Sequence, residues 1–202
     1  MTATDIRLFS ARSSAGMKRI SELLEAIRNE IESRSLWPFD DDQFFSLLVG
    51  IDTAEDAAQA LLNYEEQGLG SSDGEKYLRL YGFLQAIFLQ QDAIKQISQH
   101  LMPLAVKASS SSAWSQLREL RNMTVGHPTA YGRDKSNMQR VLISRITISD
   151  DGFQYQVWDK TKSDPCFVDG ELRTLYDDYK REAQTLLENV LESLRKTPNS
   201  CG

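Results

Sequence analysis

The chain has 202 residues, 23 Lys plus Arg against 29 Asp plus Glu, a formal net charge of -6, and 41% apolar residues. These values exclude a disordered chain, a collagen and a disulfide scaffold. They also exclude a protein that coats nucleic acid through bulk charge, because the overall field repels phosphate; any nucleic-acid site has to be a local basic patch.

In chain order, Ile20, Leu23, Leu24, Ile27 and Ile31 recur at helical spacing and predict a first helix over 5–33, with Gly16 as a weak point and Trp37-Pro38 as its end. Asp40-Asp41-Asp42 precedes Phe44-Phe45-x-Leu47-Leu48. Three carboxylates admit a metal reading, but negative charge before an apolar run is the mark of a helix start, and capping is the preferred reading. Thr53 is read as opening a further helical run to Gln67, and Gly68–Gly74 as a loop. Tyr77, Leu80, Tyr81, Leu84, Ile87, Phe88, Ile94 and Ile97 give the helix over 75–101 a face wide enough for the centre of a bundle, and Pro103 closes it. A serine run, Ser109–Ser112, caps a shorter helix from Ala113 to about Gly126. The period then changes. Val141–Ile148 and Phe153–Trp158 alternate around Ser149-Asp-Asp-Gly152, which predicts a β-hairpin near 141–158. Val168-Asp169-Gly170 leads into a last helix over 171–196, ended by Pro198. The predicted fold class is all-α: a helical bundle with one hairpin inserted before its last helix. Residues 1–70 are an N-terminal helical elaboration packed on a core of 74–202, the whole forming one compact unit. An isolated two-stranded hairpin is marginal alone, so this one has to lean on the bundle or on a second subunit.

Cys166 and Cys201 are too few for a cysteine zinc site and read as free thiols. The densest apolar stretch, Phe44–Ile51, is far shorter than the roughly 18 residues of a membrane span, and the first residues lack a leader's hydrophobic core. The expectation is a cytoplasmic chain with no membrane contact. No glycine-rich phosphate loop, His-Glu-x-x-His or Gly-x-Ser-x-Gly motif is present, so neither a cofactor nor a metal is expected. The chain has two histidines, His100 and His127. His100 falls near a helix C-terminus, where a cation suits the dipole.

His127 lies in Leu117-Arg-Glu-Leu-Arg121-Asn122-Met-Thr-Val-Gly126-His127-Pro128. An Arg followed by a polar residue, then a His within a few positions at the end of a helix, resembles the signature of the HEPN superfamily. The order of a long apolar helix, a shorter helix with the motif and a terminal helix is similar as well, over roughly 74–196. The resemblance implies a metal-independent endoribonuclease working as a homodimer on an RNA substrate, as in toxins and phage-defence effectors, with an antitoxin or regulatory protein as a further partner. It also implies the roles: His127 as general acid/base, Arg121 as the phosphate-binding and charge-stabilising residue, Asn122 as the group that orients them. Members without activity imply the alternative, a silent module that binds a protein partner or a nucleotide.

The chemistry stands on its own terms. When the 2′-hydroxyl of RNA attacks the adjacent phosphate, protons move and charge builds on the phosphorane. An imidazole titrates near neutrality and handles the first; a guanidinium is a fixed donor to phosphate and handles the second. Arg121 and His127 are about 240° apart on an α-helix, so they converge only if the helix distorts near Gly126, or if a two-fold axis joins pairs from two subunits. Between Trp114 and Arg145 six basic residues, Arg118, Arg121, Arg133, Lys135, Arg140 and Arg145, face two acidic ones, Glu119 and Asp134. That local excess suits phosphate; Arg118, Arg133 and Lys135 are the candidate RNA-backbone contacts. Tyr131 can stack on a base or simply fill the turn. The structural alternative pairs Arg121 with Glu119 or Asp92 and leaves His127 as a helix cap. A third option is a helical scaffold whose acidic face around Asp40–Asp42 meets a basic partner.

Overall fold

The computed structural model describes residues 3–34, 40–102, 109, 111–132, 138–162 and 164–196, with side chains from residue 15 onward. Trp37-Pro38, Pro103, Arg133, Asp134, Lys135, Pro198 and Cys201 lie outside these residues. The described part is mostly helical. Helices α1 (Ala3–Glu32), α2 (Asp41–Gln67), α3 (Asp73–Leu101), α4 (Ala113–Arg121) and α5 (Leu172–Lys196) pack as a bundle in which α2 lies against α1 and α3, and α5 against α1, α3 and α4.

Helix starts follow local chemistry. The Asp40 carboxylate accepts the Gln43 N–H at 2.9 Å, the capping role expected of the acidic triplet. Ser72 and Ser112 cap α3 and α4 in the same way. Two expectations fail at helix interiors. Gly16 does not break α1, because its missing side chain lets the Lys180 stem of α5 pass; a Cβ there would sit 3.3 Å from Lys180 Cδ. The runs before and after Thr53 are one helix. Gly50 lets α2 approach Ile97 of α3, and the Thr53 hydroxyl donates back to the Val49 carbonyl, so neither residue interrupts the ladder.

The core is apolar, with Leu24, Ile27, Leu47, Ile51, Leu84, Ile94, Leu187 and Val190 nearly inaccessible. It also holds Gln90 and Gln91, which the sequence pattern leaves outside the apolar stripe. Both amides are engaged: Tyr179 Oη donates to Gln90 Oε1 at 2.8 Å, and Gln91 Nε2 donates to the Trp114 carbonyl at 2.8 Å.

The predicted hairpin is part of a three-stranded antiparallel sheet, β1 (Gln139–Ile143), β2 (Phe153–Asp159) and β3 (Cys166–Gly170), in the order β1-β2-β3. The first strand stops at Ile143, and Arg145–Thr147 form a 3-10 turn instead of continuing to Ile148. The Ser149–Gly152 turn closes as expected, with both backbone bonds made. Val168-Asp169-Gly170 belongs to β3, pairing with β2 at Tyr155↔Val168, rather than to a helix lead-in. The sheet leans on the bundle. Val141, Ile143, Phe153 and Tyr155 are buried in the common core. The turn is strapped down by Asp150, which accepts the Leu69 N–H at 2.8 Å, and by Asp151, which pairs with Arg173 at 2.7 Å.

Candidate functional site

Helix α4 is short, and packing from its neighbours fixes its position. At its start the Glu182 carboxylate of α5 accepts the N–H groups of Ala113 and Trp114 at 3.0 and 2.9 Å. Leu117 and Leu120 are buried beneath it. Along its flank, one face of α3 supplies Gln85, Phe88 and Asp92, at the spacing that puts side chains on one side of a helix. Asp92 forms an ion pair with Arg118 at 2.8 Å. The guanidinium carbons of Arg118 and Arg121 lie 4.2 and 4.1 Å from the centroid of the Phe88 ring, a cation–π geometry.

Arg121 is held by neutral groups. Gln85 Oε1 accepts from its Nε at 3.0 Å and its Nη2 at 2.7 Å, and Asn122 Oδ1 accepts from Nη1 at 3.0 Å. A guanidinium has five N–H donors; three are used among the described residues, which leaves two for another acceptor. The carboxylate pairing considered for Arg121 is absent: Asp92 pairs with Arg118 instead.

Directly after Arg121 the backbone leaves the α form. Asn122–Gly126 make a π turn, closed by the His127 N–H donating to the Asn122 carbonyl at 2.8 Å, five residues back. Such insertions are uncommon and concentrate at functional sites. Here the buried Thr124 hydroxyl donates to the Leu120 carbonyl at 2.6 Å, taking up an acceptor within the widened turn. Met123 and Val125 pack against the core and hold the turn in place. Gly126 lies against the arginine: a Cβ there would sit 2.8 Å from Arg121 Nη1, so the guanidinium rests on the residue adjoining His127. The distortion expected near Gly126 begins at Asn122 and occupies the whole stretch between the two motif residues. The imidazole of His127 is exposed and makes no hydrogen bond or ion pair among the described residues.

The chain beyond His127 is sewn to the sheet. The Pro128 carbonyl accepts the Val141 N–H at 2.8 Å, and Tyr131 exchanges both backbone bonds with Gln139. Tyr131 is half-buried in this bridge, which favours its turn-filling role. The hairpin, which the motif leaves unexplained, thus anchors the segment carrying His127. Of the residues expected at the site, Arg118, Arg121 and Asn122 lie on α4 and its π turn and His127 directly follows, while Arg118, expected to contact phosphate, is paired with Asp92. Sequence reasoning missed Gln85 and Phe88, whose signal was available as a polar and an aromatic residue three apart on the neighbouring helix.

Beside the α4 face that carries Trp114 and Arg118, helices α3, α4 and α5 line a cleft of about 710 Å³, with Lys95, Arg181 and Glu182 among its residues. Among the described residues no group of three or more His, Cys, Asp and Glu side chains is arranged to hold a metal ion. No described helix is long and apolar enough to cross a membrane. Comparison with protein-family models, curated proteins and solved structures returns no match.

Proposed function

We propose that the chain is a metal-independent endoribonuclease of HEPN type, acting on RNA as a homodimer. The observation that carries the reading is the state of Arg121: ordered by amide oxygens and an aromatic ring, with no carboxylate partner and two unused donors among the described residues. A preorganised cation of that kind stabilises charge that develops on a phosphate without reorganising first. His127, exposed at the end of the adjoining π turn, is the group for proton transfer. The 2′-hydroxyl as nucleophile makes the substrate RNA and leaves a cyclic phosphate on one product.

Two proton transfers need an acid and a base, and a two-fold pairing of chains supplies two histidines. The outward face of α3 supports such a pairing. Leu78 and Leu89 are exposed there, a Cβ on Gly82 would meet open space, and Gln85, which holds Arg121, falls between Gly82 and Leu89 on the same stripe. A second copy on this stripe would lie against the helix whose Gln85 holds Arg121. A toxin or phage-defence effector restrained by an antitoxin or other regulatory protein is the biological setting that fits.

The test is cleavage of RNA by purified chain in EDTA, beside His127→Ala and Arg121→Ala, with product ends identified. Cyclic phosphate ends lost in both variants are expected; equal cleavage by all three proteins would sink the reading. The second reading, a silent module that binds a nucleotide, is favoured by the cleft beside Trp114 and Arg118. Saturable binding of a nucleotide there, with no cleavage of any RNA class, would select it.

A further inference from the structure

The outer face of the sheet is open, and its composition is unusual for a solvated surface. Alternation along the strands turns Val141, Ile143, Phe153 and Tyr155 inward and leaves Arg140 and Leu142 of β1, Gln154, Gln156 and Trp158 of β2, and Phe167 and Asp169 of β3 outward. Leu142, Trp158 and Phe167 are 66%, 43% and 62% exposed. Trp158 pairs across the ladder with Arg140, whose guanidinium lies 4.8 Å from the indole centroid. Phe167 pairs with Gln156, two positions before Trp158 on the same face, so the two aromatic residues are diagonal neighbours about 7–8 Å apart.

The cations around this face offer contacts to an anion. Arg140 on the face, Arg145 at one end, and Lys160 and Lys162 at the other are exposed, and none of the four has an ion pair among the described residues. The neighbouring carboxylates differ: Asp151 is paired with a cation, Arg173, whereas Asp159 and Asp169 keep their charge on neutral donors. Asp150 and Asp151 hold the turn to the bundle, Asp159 accepts from the Thr161 backbone and hydroxyl, and Asp169 accepts from Gln154 Nε2. The face is also continuous with the motif. The Arg140–Trp158 row is one register step from the Tyr131–Gln139 bridge, and Pro128, next to His127, is bonded to β1 at Val141. Strands lie about 4.8 Å apart, so β2 is about two strand spacings from the segment that carries His127.

We infer that this face is a binding platform for single-stranded RNA, on which unpaired bases stack against Trp158 and Phe167 while Arg140 and the end cations hold the phosphates, delivering the strand to His127. The inference deepens the nuclease reading and rests on it for the destination of the strand. Exposed aromatic side chains on neighbouring strands stack splayed bases, and each such contact is worth a measurable share of affinity. A duplex keeps its bases stacked on one another and cannot use the platform.

The test uses the full chain carrying His127→Ala, so that RNA stays intact, and a fluorescein-labelled single-stranded RNA dodecamer followed by anisotropy. The same strand annealed to its complement is the comparator. Trp158→Ala and Phe167→Ala are each expected to weaken single-strand binding about tenfold, Trp158→Phe to restore most of it, and the duplex to bind weakly and indifferently to all three. Both side chains point away from the core, so an unchanged thermal melt accompanies the expected result. Absent binding by the parent, unchanged affinity in the Trp158→Ala/Phe167→Ala double variant, or an equal loss on the duplex would overturn the platform. So would a change in sedimenting mass in the double variant, which would make the face a contact between copies. Binding through the face with the wild-type chain leaving the RNA uncut would remove the nuclease reading and keep the platform. Cleavage at an unchanged rate by the double variant in the wild-type background would do the reverse.

Discussion

Lys180 and Arg121 each sit against an aromatic ring with polar partners, and they serve opposite ends. Lys180 in α5 is enclosed: its side chain is 4% exposed, Nζ lies 3.0 Å from Glu65 and 2.9 Å from Asp177, and the Tyr176 ring centroid is 4.3 Å away. Arg121 in α4 is half-exposed, and its partners are the amide oxygens of Gln85 and Asn122 with the Phe88 ring. Carboxylates neutralise the lysine and commit it to the fold. Amides orient the arginine and leave its charge to act outward. The difference teaches that the charge on a cation's partners, more than its neighbourhood of rings, decides whether it can receive an anion.

The largest effect is expected at the open end of the comparison. His127→Ala should cut RNA cleavage by about 10²–10⁴, the usual contribution of a positioned acid or base, with little change in the melt. The closed end should answer in stability. Lys180→Met strands the Glu65 carboxylate in the core and should cost about 3–5 kcal/mol in a urea titration. Arg121→Met should cost well under that, and a larger loss for Arg121 than for Lys180 would break the comparison.

Alkaline pH probes the buried cluster separately. Burial, then the nearby carboxylates of Glu65 and Glu182, hold the hydroxyls of Tyr176 and Tyr179 well above their ordinary range. Unfolded tyrosines ionise near pH 10, so above it the folded chain binds more protons than the unfolded one. Stability is full below pH 10 and falls above it by about 1.4 kcal/mol per pH unit for each such tyrosine. Tyr176→Phe should shallow that slope in melts taken from pH 9 to 12. The smallest change converts one cluster into the other: Gln85→Glu gives Arg121 a carboxylate partner. Cleavage should drop about tenfold, while stability moves by less than about 1 kcal/mol, as for a partly exposed ion pair.

The helices were legible because long amphipathic runs with caps leave a strong period: Asp40 and Ser112 cap where expected, and α5 covers nearly the predicted span. β3 was not legible. Of Cys166–Gly170 only Gly170 is buried, so this edge strand has no alternating apolar set to read. Continuity of α2 was hidden because Gly50, Asp52 and Thr53 resemble punctuation until the approach of α3 explains the glycine. At the site, Arg121, Asn122 and His127 were readable from spacing. The exchange of partners was not, since only the fold shows that Arg118 claims Asp92 and leaves Gln85 for Arg121. The charge count between Trp114 and Arg145 was readable as well, but the outward row of Arg140, Leu142 and Trp158 emerges only from strand register.

The π turn makes this region depend on chain length as much as on residue identity. The Asn122–Gly126 turn spans one residue more per hydrogen bond than the helix before it. Deleting a single residue there lets α4 continue in ordinary register and swings everything downstream by about 100°. Every side chain of the motif could survive such an event while the bond from Val141 to Pro128 lost its partner. Comparing sequences column by column would score that change as minor, whereas a frame-preserving loss of one codon is the simplest heritable route to a folded chain whose Arg121 and His127 are no longer separated by the π turn.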